Sequence, residues 1–327
     1  MIQYLIRRFA FMLISVIFMS IVAFVLINLP PGSYLKLYIM RLEASGQKVD
    51  QSMIENLTIR YGYNQPFIVR YYKWVRGFVR GDLGRSFQWG KPVMDLILER
   101  LPFTLIIAFS TIIFSFAVAI PIGIYSATKQ YSVGDYIATV FGFLGLATPS
   151  FLLALVLMYF LFKYFGVSPG GLFSRDYVDA AWSIGKFIDL LKHLIVPIIV
   201  VGMAGTAGLI RTMRGMLLDE LSKDYVDTAR MKGVSERRLL YKYPVRVAIN
   251  PLISTIGWLL PWVISGSTIT SIVLNLPTLG PLLLSALMSQ DMYLAGSIVL
   301  ILTTLILVGT FISDFLLAWS DPRIRFN

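Results

Sequence analysis

The sequence contains no cysteine and a single histidine, His193. That excludes disulfides, thiol catalysis and the usual zinc sites, which need about four ligands. Charge is scarce as well: 14% of the 327 residues are charged and 57% are hydrophobic, with a mean hydropathy of +0.73. A water-soluble domain carries roughly a quarter charged residues, so there are too few here to coat a globular surface. A phosphate-cradling GxxxxGK[ST] loop is also missing. The nearest string, residues 84–92, has one residue too many before Gly90-Lys91 and a proline, Pro92, where the hydroxyl should stand. ATP hydrolysis is therefore not expected of this chain. An intramembrane serine hydrolase is set aside too, because Ser265 and Ser267 have no base within reach of their span.

What the sequence does have is long uncharged runs, at residues 9–30, 101–128, 136–162, 194–210, 247–274 and 292–319. Each approaches or exceeds the ~20 residues a helix needs to cross the hydrocarbon core. The expected fold class is an all-α integral membrane protein with about six transmembrane helices. The first run follows Arg7-Arg8 and ends in Leu29-Pro30-Pro31-Gly32 without a small-x-small cleavage pattern, so it is expected to stay as an anchor. Asp314 is the one charge inside any run, one to two turns from the end of the sixth.

The net charge of +11 sits between the runs rather than on an aromatic-interleaved stripe, which argues for membrane topology over nucleic acid. With the N-terminus inside, fourteen Lys and Arg fall in short cytoplasmic pieces against four outside, leaving aside residues 31–102. Both termini are expected to be cytoplasmic. The long external loop, 31–102, carries two helical patterns. Residues 65–74 place Phe67, Tyr71 and Trp74 on one face, and residues 92–101 run into the second span.

The cytoplasmic loop 211–247 holds nine basic and five acidic residues and periodic apolar ones, more than a tether requires. Within it, Ser222 or Asp224 can cap a helix, and Asp224 and Asp227 favour its first turn. Tyr225, Thr228, Ala229 and Lys232 recur on one face, and Gly233 supplies a left-handed stop. Ser235 opens a second helix carrying Arg237, Arg238, Lys242 and Arg246, in which Pro244 should introduce a kink. Small Ala229 and the Gly233 turn would let another protein approach the backbone closely.

The run Asp227-Thr228-Ala229-x-x-x-Gly233 resembles the EAA-x-x-x-G loop of bacterial ABC importer permeases. Asp224-Tyr225-Val226-x-Thr228-Ala229-Arg230-x-Lys232-Gly233, followed by Ser235-Glu236-Arg237-Arg238, is similar to the dipeptide/oligopeptide version of that loop. The likeness covers nearly the whole chain. It takes in Trp74, Gly81-Asp82-Leu83-Gly84-x-Ser86, Pro92-Val93, Arg100-Leu101-Pro102-x-Thr104-Leu105, Ala147-Thr148-Pro149-Ser150-Phe151, Pro277-x-Leu279-Gly280 and Asp321-Pro322-Arg323. There are departures. Asp227-Thr228 replaces Glu-Ala, Asn250-Pro251 stands where the family has Leu-Pro, and Thr270-Ser271 stands where it usually has Glu-Thr.

The resemblance implies a type I ABC importer permease fold, with residues 1–327 as one permease domain and the helix around residues 224–233 as a plug for a cytoplasmic ATPase. The implied coupling residues are Asp224, Tyr225, Asp227, Thr228, Ala229, Lys232 and Gly233. The implied partners are a second permease subunit, read as a paralogue, two cytoplasmic ATPase subunits, an external solute-binding protein and membrane lipid, with no nucleic acid. No cofactor is expected in this chain, ATP and Mg belonging to the partner subunits. The implied cargo is a small oligomeric solute, a di- or oligopeptide or else an oligosaccharide, since the missing Glu removes an acid from the external mouth. Ser265, Gly266 and Ser267 in the fifth span, and Gly202, Ala204, Gly205 and Gly208 in the fourth, read as helix-packing or path-lining positions, with Pro261 loosening the fifth helix. A stand-alone secondary transporter is the alternative. It calls for ionisable groups near the midplane and often an internal repeat, whereas Asp314 lies near one end and no repeat is visible.

Overall fold

The structure is a computed structural model and describes residues 2–28, 64–166 and 170–320, with isolated positions at 39–40, 44, 55 and 58–59. The end of the first run (29–32), most of the expected external loop up to residue 63, and residues 321–327 with Arg323 and Arg325 lie outside the described residues. So do the side chains of Pro261 and Ser265. The described residues are mostly helical and contain no β-strand. In chain order the helices are α1 (Ile2–Asn28), α2 (Phe67–Val79), α3 (Val93–Leu98), α4 (Leu101–Thr128), α5 (Val133–Ala147), α6 (Ser150–Phe165) and α7 (Ile184–Leu221). They continue as α8 (Asp224–Met231), α9 (Glu236–Lys242), α10 (Pro244–Ala248), α11 (Asn250–Gly266), α12 (Thr268–Val273), α13 (Leu279–Met288) and α14 (Met292–Ser320).

Four helical stretches are long and apolar enough to cross a bilayer, and two bent pairs raise the number to six. Their outward side chains are apolar (Ile113 and Phe162 are each 67% exposed), as lipid requires rather than water. The third apolar run is not one straight helix. It breaks at Thr148-Pro149, where α5 and α6 meet at 108°. Pro149 disfavours helical backbone in the residue before it, and Thr148 is extended at φ −95°, ψ 121°. Neither half, of 15 and 16 residues, reaches the ~20 needed to span alone.

The fourth run is the shortest in the sequence, yet its helix α7 is 38 residues long, about 57 Å at 1.5 Å per residue. Apolar residues mark only the part facing lipid. The polar flanks stay helical because Ser183 caps one end, accepting from the Lys186 amide at 3.2 Å, and because the other end packs on its neighbours.

Contacts divide the chain into two compact units. One comprises Met1–Phe9, Phe103–Pro277 and Val308–Asn327. Its interior has two apolar cores. Leu209, Met213 and Leu217 of α7 meet Val245, Ala248 and Leu252, and elsewhere Leu190, Leu194 and Val200 of α7 meet Ile107, Ala154 and Leu274. In this unit Asp314 pairs with Arg8 at 3.4 Å, a partner from the far end of the sequence.

The other unit comprises Ala10–Pro102 and Thr278–Leu307. The face expected on residues 65–74 forms in α2. Phe67, Tyr71 and Trp74 surround Phe24 of α1, with ring centroids 5.0, 5.4 and 5.5 Å away. A second core joins Leu83, Val93 and Ile97 to Leu279, Leu294 and Ile298.

Candidate functional site

The segment 222–250 contains the expected helix, turn and second helix. α8 begins at Asp224 with Asp224 and Asp227 in its first turn, where the dipole favours anions. The cap differs from expectation. Lys223 occupies the N-cap without a side-chain bond, and Ser222 donates instead to the Asp219 carbonyl at 2.9 Å. The stop is as expected: Gly233 sits at φ +77°, a conformation that costs other L-residues about 1–2 kcal/mol. Its amide donates to Arg230 O at 3.0 Å, and the Val234 amide reaches back to Ala229 O at 3.3 Å. Together these satisfy two otherwise orphaned helix carbonyls in the Schellman pattern.

Across this turn, Val226 and Ala229 of α8 are buried against Leu239 of α9, with Val234 and Tyr243 beside them. Ala229 therefore serves the close approach of α9, and is not open to a second protein. The other expected coupling residues, Asp224, Tyr225, Asp227, Thr228, Lys232 and Gly233, are exposed. A Cβ built on Gly233 meets nothing within 4 Å.

The hairpin is tied to α7 at both ends. On one side the Tyr225 hydroxyl donates to Glu220 Oε2 at 2.5 Å. Burial, with the bond and charge of Glu220, pushes that hydroxyl above its ordinary pKa. On the other side α9 breaks at Tyr243 (φ −114°, ψ −81°), and Pro244 restarts the helix from its first turn, where no backbone N–H is required. That restart drives Val245 and Ala248 into the core with Met213 and Leu217 of α7. Arg230 joins Asp227 at 2.7 Å and Glu236 at 2.8 Å across the hairpin. These exposed pairs orient the turn and add little stability.

The candidate path residues are less concentrated. A Cβ on Gly205 would make ordinary contact with Leu259 and Trp262 at 3.7 Å, and one on Gly266 would meet Trp262 of its own helix at 3.8 Å, so the Trp262 ring stands between them. Gly208 faces open space. Ser267 occupies the N-cap position of α12 without a side-chain capping bond, its hydroxyl donating instead to Ile264 O of α11 at 3.4 Å. The tight helix contacts lie elsewhere. A Cβ on Gly257 of α11 would come within 3.3 Å of Ser313 Cβ and of Thr310 Cα in α14. One on Gly202 would come within 2.8 Å of Phe114, as the small-residue pattern in the fourth run suggested. Gly257 is isolated in the sequence and gave no such signal.

Two of the family-like segments meet in space. The Ser150 hydroxyl, next to the Thr148-Pro149 break, shares a 2.8 Å bond with the hydroxyl of fully buried Thr270, at the position of the departure from Glu-Thr. His193 sits with Nδ1 2.9 Å from the Asp189 carbonyl and 3.5 Å from the Asp189 carboxylate of its own helix, and no cluster of metal-ligating side chains forms among the described residues.

Asp291 escaped the sequence reading because it lies just outside an apolar run. It is fully buried ahead of α14 and accepts from Ser86 Oγ at 2.5 Å, the Gln88 amide at 3.1 Å and the Leu294 amide at 3.2 Å. Burial raises its pKa above the ordinary carboxylate value, against the pull of these donors. It anchors the Gly81–Ser86 segment, in which Gly84, at φ +78°, lets the backbone pass Tyr293; a Cβ there would lie 3.1 Å from the ring. Asp82 Oδ1 closes the turn by accepting from the Gly84 amide at 3.0 Å.

Known proteins resemble the chain end to end. Residues 119–326 match the family described as binding-protein-dependent transport system inner membrane component, and residues 1–108 match the N-terminal part of such membrane components. An oligopeptide transport system permease protein of Bacillus subtilis (strain 168) is 35% identical over 327 residues, all of both chains. A putative peptide permease protein of Brucella ovis is 30% identical over 326 residues, and a dipeptide transport system permease protein of Escherichia coli (strain K12) is 27% identical over 341, each covering 99% of both chains. A helix-rich, multi-pass chain matched in this way along its whole length belongs to the family of binding-protein-dependent transport system inner membrane components.

Proposed function

We propose that residues 1–327 act as one permease domain of an ABC importer for di- or oligopeptides, with both termini on the cytoplasmic side. The peptide cargo is supported by the names of the relatives. The importer would comprise this chain, a second and paralogous permease, two cytoplasmic ATPase subunits that hold ATP and Mg, and an external solute-binding protein. Asp224, Tyr225, Asp227, Thr228, Lys232 and Gly233 form the outward face that docks on an ATPase, and Ala229 holds the docking helix against α9. Gly205, Gly208, Ser265, Gly266 and Ser267 line or pack along the path.

The observation that carries this reading is the double attachment of the α8–α9 hairpin to α7, through Tyr225–Glu220 and through Val245 and Ala248. A hairpin held at two points moves with the helix it grips, so displacement by a closing ATPase passes to the membrane span. Nucleotide biases the permease only by fitting the docked helix differently in two ATPase arrangements. The test is a photo-crosslinker at exposed Thr228 in intact membranes. Capture of a subunit bearing a GxxxxGK[ST] loop is expected; labelling of that position from outside whole cells would overturn the reading. The secondary-transporter alternative draws no support from Asp314, whose carboxylate is paired with Arg8.

A further inference from the structure

Two cavities adjoin α5. One, about 470 Å³, is almost wholly apolar and runs between α4, α5 and α7, past Val118, Ile122, Phe141 and Met203. The other, about 400 Å³, is bounded by Ser126, Tyr131, Asp135, Arg211 and Arg214. They share Ala138, Gly142, Ala207 and Ile210 as walls, so the apolar slot adjoins a second, largely apolar cavity whose mouth carries Asp135, Arg211 and Arg214. The mouth falls where the apolar stretches stop: α4 ends at Thr128, α5 starts at Val133, and the run 194–210 gives way to Arg211. Apolar helices that give way to charge in this manner do so at a bilayer's headgroup boundary.

The charges at the mouth do not balance. Arg214 Nη2 is 3.4 Å from Asp135 Oδ2, and that carboxylate also accepts from the Tyr131 amide at 3.0 Å. Arg211, one turn from Arg214 on the same helix, lies over the Phe143 ring at 5.6 Å and has no carboxylate within 4 Å among the described residues. Two guanidinium groups thus face one carboxylate. A guanidinium fork suits phosphate oxygens, and basic pockets between membrane helices recruit anionic headgroups. Left empty, the apolar slot forgoes the dispersion contacts that close packing provides.

We propose that this groove binds an anionic phospholipid, with the phosphate held by Arg211 and Arg214 and one acyl chain along the slot beside Ala138 and Gly142. The bound lipid completes the packing of α5 against α7. The inference rests on membrane residence and not on the transport reading, and its test involves no transport.

The full-length protein, purified with the subunits that accompany it, is incubated with dioleoyl phosphatidylglycerol and dioleoyl phosphatidylcholine, and bound lipid is counted by native mass spectrometry. Wild type is expected to retain the anionic lipid roughly tenfold better, the scale of one charged hydrogen bond. R211Q, which leaves the Arg214–Asp135 pair intact, should bring the two lipids to parity. Gly142→Leu should reduce retention of both, because it fills the slot and leaves the arginines untouched. Equal retention by wild type, or an unchanged preference in R211Q, overturns the proposal. So does a photo-crosslinker at position 142 that captures a second protein chain in membranes instead of lipid.

Discussion

Gly233 offers the sharpest test, because its two roles can be separated by substitution. Its φ of +77° penalises any residue with a Cβ, yet a Cβ there touches nothing. Gly233→Ala should therefore act through backbone strain alone, costing about 1–2 kcal/mol. Expressed as the opening equilibrium of the turn, that is a factor of roughly 5–30. The amides of Gly233 and Val234, bonded to Arg230 O and Ala229 O, report it directly. Their hydrogen exchange should quicken by that factor in the Ala variant, while amides inside α7 keep their protection. Asn tolerates the left-handed region better, so Gly233→Asn should exchange nearly as wild type. It nevertheless places a side chain on the outward face, and so should lose solute-stimulated ATPase activity and uptake in reconstituted membranes. Gly233→Leu should lose both turn and coupling while still inserting. An Ala variant with wild-type exchange would refute the strain argument, and a fully coupled Asn variant would refute docking at this position.

Further predictions concern packing, charge and anchoring. Gly257→Leu should destabilise the protein by about 1–3 kcal/mol through overpacking against Ser313 and the Thr310 backbone, whereas Gly208→Ala, facing open space inside α7, should not lower the melting temperature in detergent. Tyr225→Phe should cost about 0.5–1.5 kcal/mol, seen as faster proteolysis of the α7–α8 junction, by deleting the bond to Glu220. Asp291 has a folded pKa above its unfolded 3.8, so folding takes up protons. Stability should rise as pH falls through the folded value, level off below 3.8, and be lost again on return to neutrality. Melting curves of Asp291→Asn should lack that slope, and a parallel slope in wild type and variant would refute the assignment.

Much of the architecture was legible because lipid imposes a simple rule: a span must be apolar for about 20 residues, so composition alone marks it. The α8 turn was legible for a local reason, since a left-handed stop requires glycine and Gly233 follows a helical period. Ala229 was only half legible. Its small size announced close approach, but its neighbour proved to be Leu239 of the same chain. Asp291 was invisible, because a lone acid in a loop says nothing about burial until Ser86, over 200 residues earlier, is found against it.

By itself the sequence determined membrane residence, the positions of the apolar elements, the helix–glycine–helix motif and the family likeness. All of these depend on residues close in sequence or on the periodicity of one element. Only the tertiary structure decided that α7 runs far beyond its apolar core, that the third run breaks by 108° at Pro149, that Asp314 meets Arg8, and that the hairpin is gripped by α7 at both ends. Those outcomes depend on which distant side chains come into contact, and burial energies of that kind are set by packing in three dimensions rather than by the order of residues along one helix.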